Sequence, residues 1–236
     1  MFFLSLITLC AVASPAAAER VEVLLLYNIR PPYVELAPGG RIVGLTATPA
    51  IAAFEAAEIP FTLRNAPTNR QLALVRGDAE PSCAIGWFKR PERMTFAHFT
   101  RPIYQDQPNV VLMRRSMAEV IEHQTVKALM SDRRWAVLLR QNFSYGGFID
   151  HLIAQHLPRR IESVGSKSQF VEMIRKGRAD YMFVAREEAA WIMGSMEASD
   201  VVAATFSDMP AGDTRHIMCG MSVPEDVIQR LDAVLP

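Results

Sequence analysis

The sequence predicts an α/β protein built as two similar lobes. Three observations carry this expectation. Short β-rich runs alternate with amphipathic helical stretches, a helix–Gly–x–Ala–acid–strand step occurs twice (Gly77 to Glu80, Gly177 to Asp180), and 236 residues leave room for two cores.

The elements follow in order. The apolar run Val21-Glu-Val-Leu-Leu-Leu-Tyr27 reads as a buried strand, Pro49 to Ala57 as a helix and Phe61 to Arg64 as a strand. Asn69 to Arg76 is a helix closed by Gly77, whose freedom at positive φ suits a left-handed cap. Strands follow at Ser82 to Ile85 and Asn109 to Met113. After a polar stretch come strand Trp135 to Leu139, helix Gly147 to His156, strand Arg160 to Val164 and helix Gln169 to Lys176. Strand Tyr181 to Val184 leads into a helix from Arg186 to Met193, and Arg215 to Met221 is a returning strand. The first lobe's pattern ends near Gln107-Pro108, and the turn-rich Ser207 to Asp213 offers a second crossing. The expected lobes are therefore 19–107 with 212–236, and 108–211.

Half of the residues are hydrophobic and 21% are charged, a globular and not a disordered composition. The 25 Lys+Arg balance 25 Asp+Glu, so the basic footprint of a non-specific nucleic-acid binder is missing. The one long apolar stretch opens the chain. Met1 to Ala18 carries no charge, is mostly apolar from Phe2 to Val12, breaks at Pro15 and ends in alanines before Glu19, as a secretory signal peptide does. Its apolar core is short for an uncleaved anchor helix. The basic residues that usually precede such a core are missing, which puts the expected true start upstream. Cys10 follows Leu9, where a lipidation site would need a small residue, so it belongs to the signal.

Export leaves Cys83 and Cys219 as an even pair in an oxidising setting. A disulfide and two buried free thiols fit these residues equally at this point. His98, His123, His151, His156 and His216 are scattered, and neither cysteine has a ligand-spaced neighbour, so no metal or other cofactor is implied. The HExxH, GxSxG and GxxxxGK[ST] signatures are missing from the sequence.

Gly40-Arg-Ile-Val-Gly44-Leu before a helix, Phe88-Lys-Arg-Pro-Glu-Arg93, Phe99-Thr-Arg-Pro-Ile-Tyr104 and Val223-Pro-Glu-Asp226, with the two Gly-x-Ala-acid steps, carry a resemblance across the mature chain. It is to the family 3 extracellular solute-binding proteins of ABC importers, the polar amino-acid binding type. The resemblance implies a two-lobed periplasmic-binding-protein type II fold, each lobe a doubly wound mixed sheet flanked by helices, with a small solute captured by cleft closure. It also implies that the strands of Cys83 and Cys219 share the first lobe and lie side by side. The chain departs from the pattern in places. Thr46 and Ala47 stand where a carboxylate is usual, Arg90 replaces a threonine, and Ala185 stands near the end of its strand where the family places an acid. The family's helical stretch after the returning strand is expected to be cut short, leaving the first lobe thinly covered.

A carboxylate buried in a cleft needs a guanidinium, and Arg93 matches the arginine to which the resemblance assigns that role. A solvated Arg93 in a basic run with Lys89 and Arg90 is the alternative, and those two are expected to be solvated. Asn142-Phe-Ser144-Tyr145-Gly146 follows a strand and opens a helix, so Ser144, Tyr145 and free N–H groups can cap the same anion, or Ser144 serves only as the helix N-cap. Glu187 and Glu188 are the second lobe's acids for an ammonium group, or else exposed first-turn residues favoured by the helix dipole. Tyr27, Tyr33 and Trp87 lie at strand ends, where open α/β sheets place ligands, though Tyr27 reads more readily as core.

The functional expectation is a periplasmic, monomeric solute-binding protein that hands a small carboxylate-bearing solute to an ABC permease. It is not an enzyme and needs no cofactor. The competing reading is a periplasmic dehydratase of the same fold acting on a cyclohexadienyl carboxylate, with Glu187 or Glu188 as general acid. A sensory module is a third reading, disfavoured because no transmembrane helix or kinase region is seen in the sequence.

Overall fold

The computed structural model describes residues 21–121, 125–141, 143–195 and 199–236; Met1 to Ala18, read as a signal peptide, and Asn142 lie outside the described residues. The first part of the chain forms β1 (Val23–Tyr27), β2 (Glu35–Leu36), β3 (Ile42–Val43), α1 (Ala47–Ala56), β4 (Phe61–Asn65), α2 (Thr68–Gly77), β5 (Ser82–Phe88), α3 (Pro91–Met94), β6 (Ala97–Phe99) and β7 (Tyr104–Gln105). There follow β8 (Val110–Arg114), α4 (Arg115–Ala118), α5 (Val126–Ser131), β9 (Val137–Arg140), α6 (Gly147–His156), β10 (Arg160–Ser163), α7 (Lys167–Arg175), β11 (Tyr181–Val184), α8 (Arg186–Ser195) and β12 (Val201–Ala204). The chain then returns as β13 (Thr214–Gly220) and closes with α9 (Glu225–Val234).

Two mixed sheets result, one per lobe. The first runs β4-β1-β5-β13-β6, with β7 also paired to β13, and the second runs β10-β9-β11-β8-β12. β1 pairs in parallel with β4 and β5, whereas the returning β13 is antiparallel to β5, β6 and β7. Alternation along β1 sends Val23 and Leu25 into a cluster with Phe54 of α1, and Leu24 and Leu26 into one with Val75 and Trp87. Both faces are buried, which is why the run is continuously apolar. β8 divides in the same way between the two clusters of the second lobe, Val110 and Leu112 on one side and Val111 and Met113 on the other.

Cys83 and Cys219 face each other in the β5–β13 register and form a disulfide. Beyond β13, α9 lays Val227, Ile228 and Leu231 onto the α1 side of the first sheet. This corrects the expectation of a thinly covered lobe, since the Val223-Pro-Glu-Asp226 segment opens a helix. Two further corrections are local. β5 runs past Ile85 to Phe88 because Gly86 takes φ +79° opposite a register shift at His216/Ile217, so the strand bends there and continues. After α2 it is Asp78, not Gly77, that adopts the left-handed conformation, and its carboxylate accepts from the Ser222 N–H and hydroxyl. Among the described residues no helix is long and apolar enough to cross a membrane.

Candidate functional site

The chain leaves the carboxyl ends of β1, β5, β9 and β11 on the sides of the gap between the lobes, where an open α/β sheet presents loop backbone and side chains rather than a packed face. The gap is a cleft open to solvent, which the first lobe lines with Asn28, Arg30, Tyr33, Trp87, Arg93 and Arg215 and the second with Phe143 and Ser144.

Arg93 sits in this cleft at the end of α3. Its guanidinium lies 4.9 Å from the Trp87 ring centroid and donates to the Phe88 carbonyl at 3.0 Å. Burial pulls its pKa below the ordinary guanidinium value, with Glu92 opposing, and it has no salt bridge among the described residues. Trp87 is itself aimed by Gln71, only 1% exposed, whose amide oxygen accepts from the indole N–H at 3.0 Å. The bend at Gly86 gives Trp87 and Phe88 their position at the cleft.

Tyr33 also lines the cleft, with the Arg215 guanidinium 4.1 Å and the Arg30 guanidinium 5.0 Å from its ring centroid. Its loop is pinned by the start of α1. The Tyr33 carbonyl accepts from the Thr46 N–H, the Ala47 N–H and the Thr46 hydroxyl. A Cβ at Gly44 (φ +127°) would stand 2.4 Å from that carbonyl, so the glycine is required there. Thr46, which stands where a carboxylate was expected, thus spends its hydroxyl on holding this loop.

The start of α6 differs from expectation. Its N-cap is Gly146, and Ser144 donates to the Asp150 carboxylate and accepts from the Gly146 N–H at 3.3 Å. Asp150 also takes the Tyr145 N–H, and Asp213 takes the Gly147 N–H at 3.1 Å. The chain's own carboxylates therefore hold these donors, although Ser144 and Phe143 still line the cleft. Tyr145 borders the smaller cavities beside it, its hydroxyl accepting from the Arg140 N–H at 2.7 Å. Tyr27 packs into the first lobe's apolar clusters, and it is the next residue, Asn28, that reaches the cleft.

Glu187 and Glu188 are neither exposed nor free for an ammonium group. Glu187 accepts from the Tyr104 hydroxyl at 2.8 Å and the Gln107 N–H at 2.7 Å. Glu188, 4% exposed, takes Arg30 in a bidentate pair at 2.7 and 2.8 Å and also binds Lys167. Burial pushes its pKa up, but Arg30 and then Lys167 outweigh that and bring it to about 2. The contacts to Arg30, Tyr104 and Gln107 bridge the lobes, whereas Lys167 belongs to the lobe of Glu188. Arg90, expected to be solvated, pairs with Asp213 within the first lobe, whereas Lys89 is exposed as expected.

Sequence reasoning missed Arg30, Arg215 and Asp106. Arg215 and Asp106 form a bidentate pair at 2.7 Å for both bonds, with side chains 5% and 4% exposed, and Arg215 also donates to the Gly86 carbonyl. A signal existed in the charges on otherwise apolar or turn segments (Arg30 before two prolines, Arg215 within a buried strand), since a buried charge demands a partner.

No family model matches the sequence, and no curated protein matches it. Solved structures do. An ancestral arginine-binding protein bound to arginine superposes with TM-score 0.71 at 13% identity, over 92% of this chain and 91% of that one. The substrate-binding protein of an amino acid ABC transporter gives 0.67 at 14%, over 91% of each chain. A histidine kinase sensor domain with similarity to periplasmic binding proteins gives 0.71 at 16%, over 92% and 89%. These likenesses show the fold: a two-lobed periplasmic-binding-protein type II architecture.

Proposed function

We propose that this chain is a periplasmic solute-binding protein of the family 3 kind that captures a small carboxylate-bearing solute between its lobes and presents the closed form to an ABC permease. The lobes are proposed as 19–107 with 212–236, and 108–211. One observation carries the reading: a half-buried guanidinium, Arg93, lies in the interlobe cleft against an aromatic wall with no carboxylate partner among the described residues. A desolvated cation gains most from a bidentate anion. The solute-binding and ABC-transporter names of the similar structures support the same role. Trp87, Tyr33 and Ser144 line the cleft around the carboxylate, and closure would trap it by the bridging contacts of Glu187 and Glu188. The protein acts as a monomer and needs no cofactor.

The dehydratase reading loses its general acid. A carboxyl near pKa 2 between two cations stays ionised, and Glu187 is occupied across the lobe contact. The test is calorimetry with the acid that most raises the melting temperature in a panel of amino acids, dicarboxylates and related organic acids. Arg93→Ala should weaken it by about a hundredfold, or about 3 kcal/mol. An unchanged affinity removes Arg93 from the site, and a solute recovered dehydrated at turnover overturns the binding role.

A further inference from the structure

Resting on the solute-binding reading, we propose that the cleft takes an organic acid without an ammonium group, and so discriminates against amino acids. The charges around it are one-sided. Arg30, Arg93 and Arg215 line the cleft, and Arg140 and Lys167 line the cavity that adjoins it through Arg30 and Phe143. Among the described residues no acidic side chain lines the cleft itself; in the cavities that border it Asp150 is held by Ser144 and the Tyr145 N–H, Asp213 by Arg90 and Glu162 by Arg160, which leaves Glu188 and Asp106.

Both of those acids are committed. Glu188 is gripped by Arg30 and Lys167, and Asp106 by Arg215, each through a bidentate guanidinium. An ammonium could use either only by breaking such a pair and leaving a guanidinium buried without its anion. The second shelter for a cation, an aromatic face, is also taken. Arg93 lies over Trp87, Arg30 over Tyr33 and Phe143, and Arg215 over Tyr33 and Phe88. What remains open is neutral: Asn28, Asn69 and Thr68 at one side of the cleft. These can hydrogen-bond a hydroxyl, a keto oxygen or a second carboxylate. The solute class is therefore hydroxy-, oxo- or dicarboxylic acids with an apolar or flat body set against Trp87 and Phe143.

Calorimetry on the purified protein with matched pairs tests this: aspartate against succinate, glutamate against glutarate and 2-oxoglutarate, and phenylalanine against 3-phenylpropionate. The ammonium-free member of at least one pair should bind about tenfold or more tighter than its amino acid, and Arg93→Ala should remove that binding. An amino acid that binds as tightly as its ammonium-free partners, and loses affinity in Arg93→Ala, overturns the selectivity while the solute-binding reading stands. Absence of binding by every member overturns both.

Discussion

Glu188 is the point at which a single atom exchange should open the protein. Glu188→Gln keeps the size of the side chain but removes the charge that holds Arg30 across the lobe contact and Lys167 beside it. A carboxyl brought from 4.5 to about 2 carries about 3 kcal/mol of favourable interaction in its ionised form, and with a side chain only 6% exposed little of this is screened by water. Lys167 shares the lobe of Glu188 and stays with it on opening, so the Arg30 share alone crosses the lobes and the expected consequence is a fall of up to about a hundredfold in the closed-to-open ratio at neutral pH. Because the pKa is depressed in the closed form, its contribution is complete above about 4.5 and is lost as the pH falls toward 2, so the unaltered protein should open through the same window. Small-angle scattering would read both effects as an increased radius of gyration, and affinity for the cognate acid should fall in parallel. Glu172→Gln, in a solvent-exposed cluster with Arg175 and Lys176, is the control and should change neither. If Glu188→Gln keeps the radius and affinity of the unaltered protein, and acid leaves the radius constant down to pH 2, the bridge does not hold the lobes.

Asp106→Ala strands the Arg215 guanidinium inside the first lobe and should cost about 3–5 kcal/mol in urea denaturation. The paired change Asp106→Leu with Arg215→Met should recover most of it; equal losses in both variants would contradict the account. Reduction of the disulfide, which spans a sequence separation of 136, should lower stability by about 5 kcal/mol on chain-entropy grounds, and a denaturation midpoint unchanged by reductant would refute it.

The alternation of strands and helices was legible because it rests on hydrophobic burial, which leaves its period in the chain. β1, buried on both faces, is a continuous apolar run, and the pattern places α6 and β11 at their observed bounds. Two-residue strands such as β2, β3 and β7 are too short to show a period, and they exist because neighbouring backbone completes their hydrogen bonds. Trp87 could be placed near a cleft from its position toward the end of a core strand, and Arg93 from its match to the motif arginine of the family the chain resembles. Their partners could not. Arg30 and Glu188 are separated by 158 residues, and Arg215 and Asp106 by 109, so nothing local records that each cation has an anion opposite it. The order of residues along the chain was enough to tell which segments bury an apolar face. Which charges neutralise one another, and which guanidinium is left without an anion, emerged with the packed fold, because pairing energy depends on distance and desolvation in space and not on spacing along the chain.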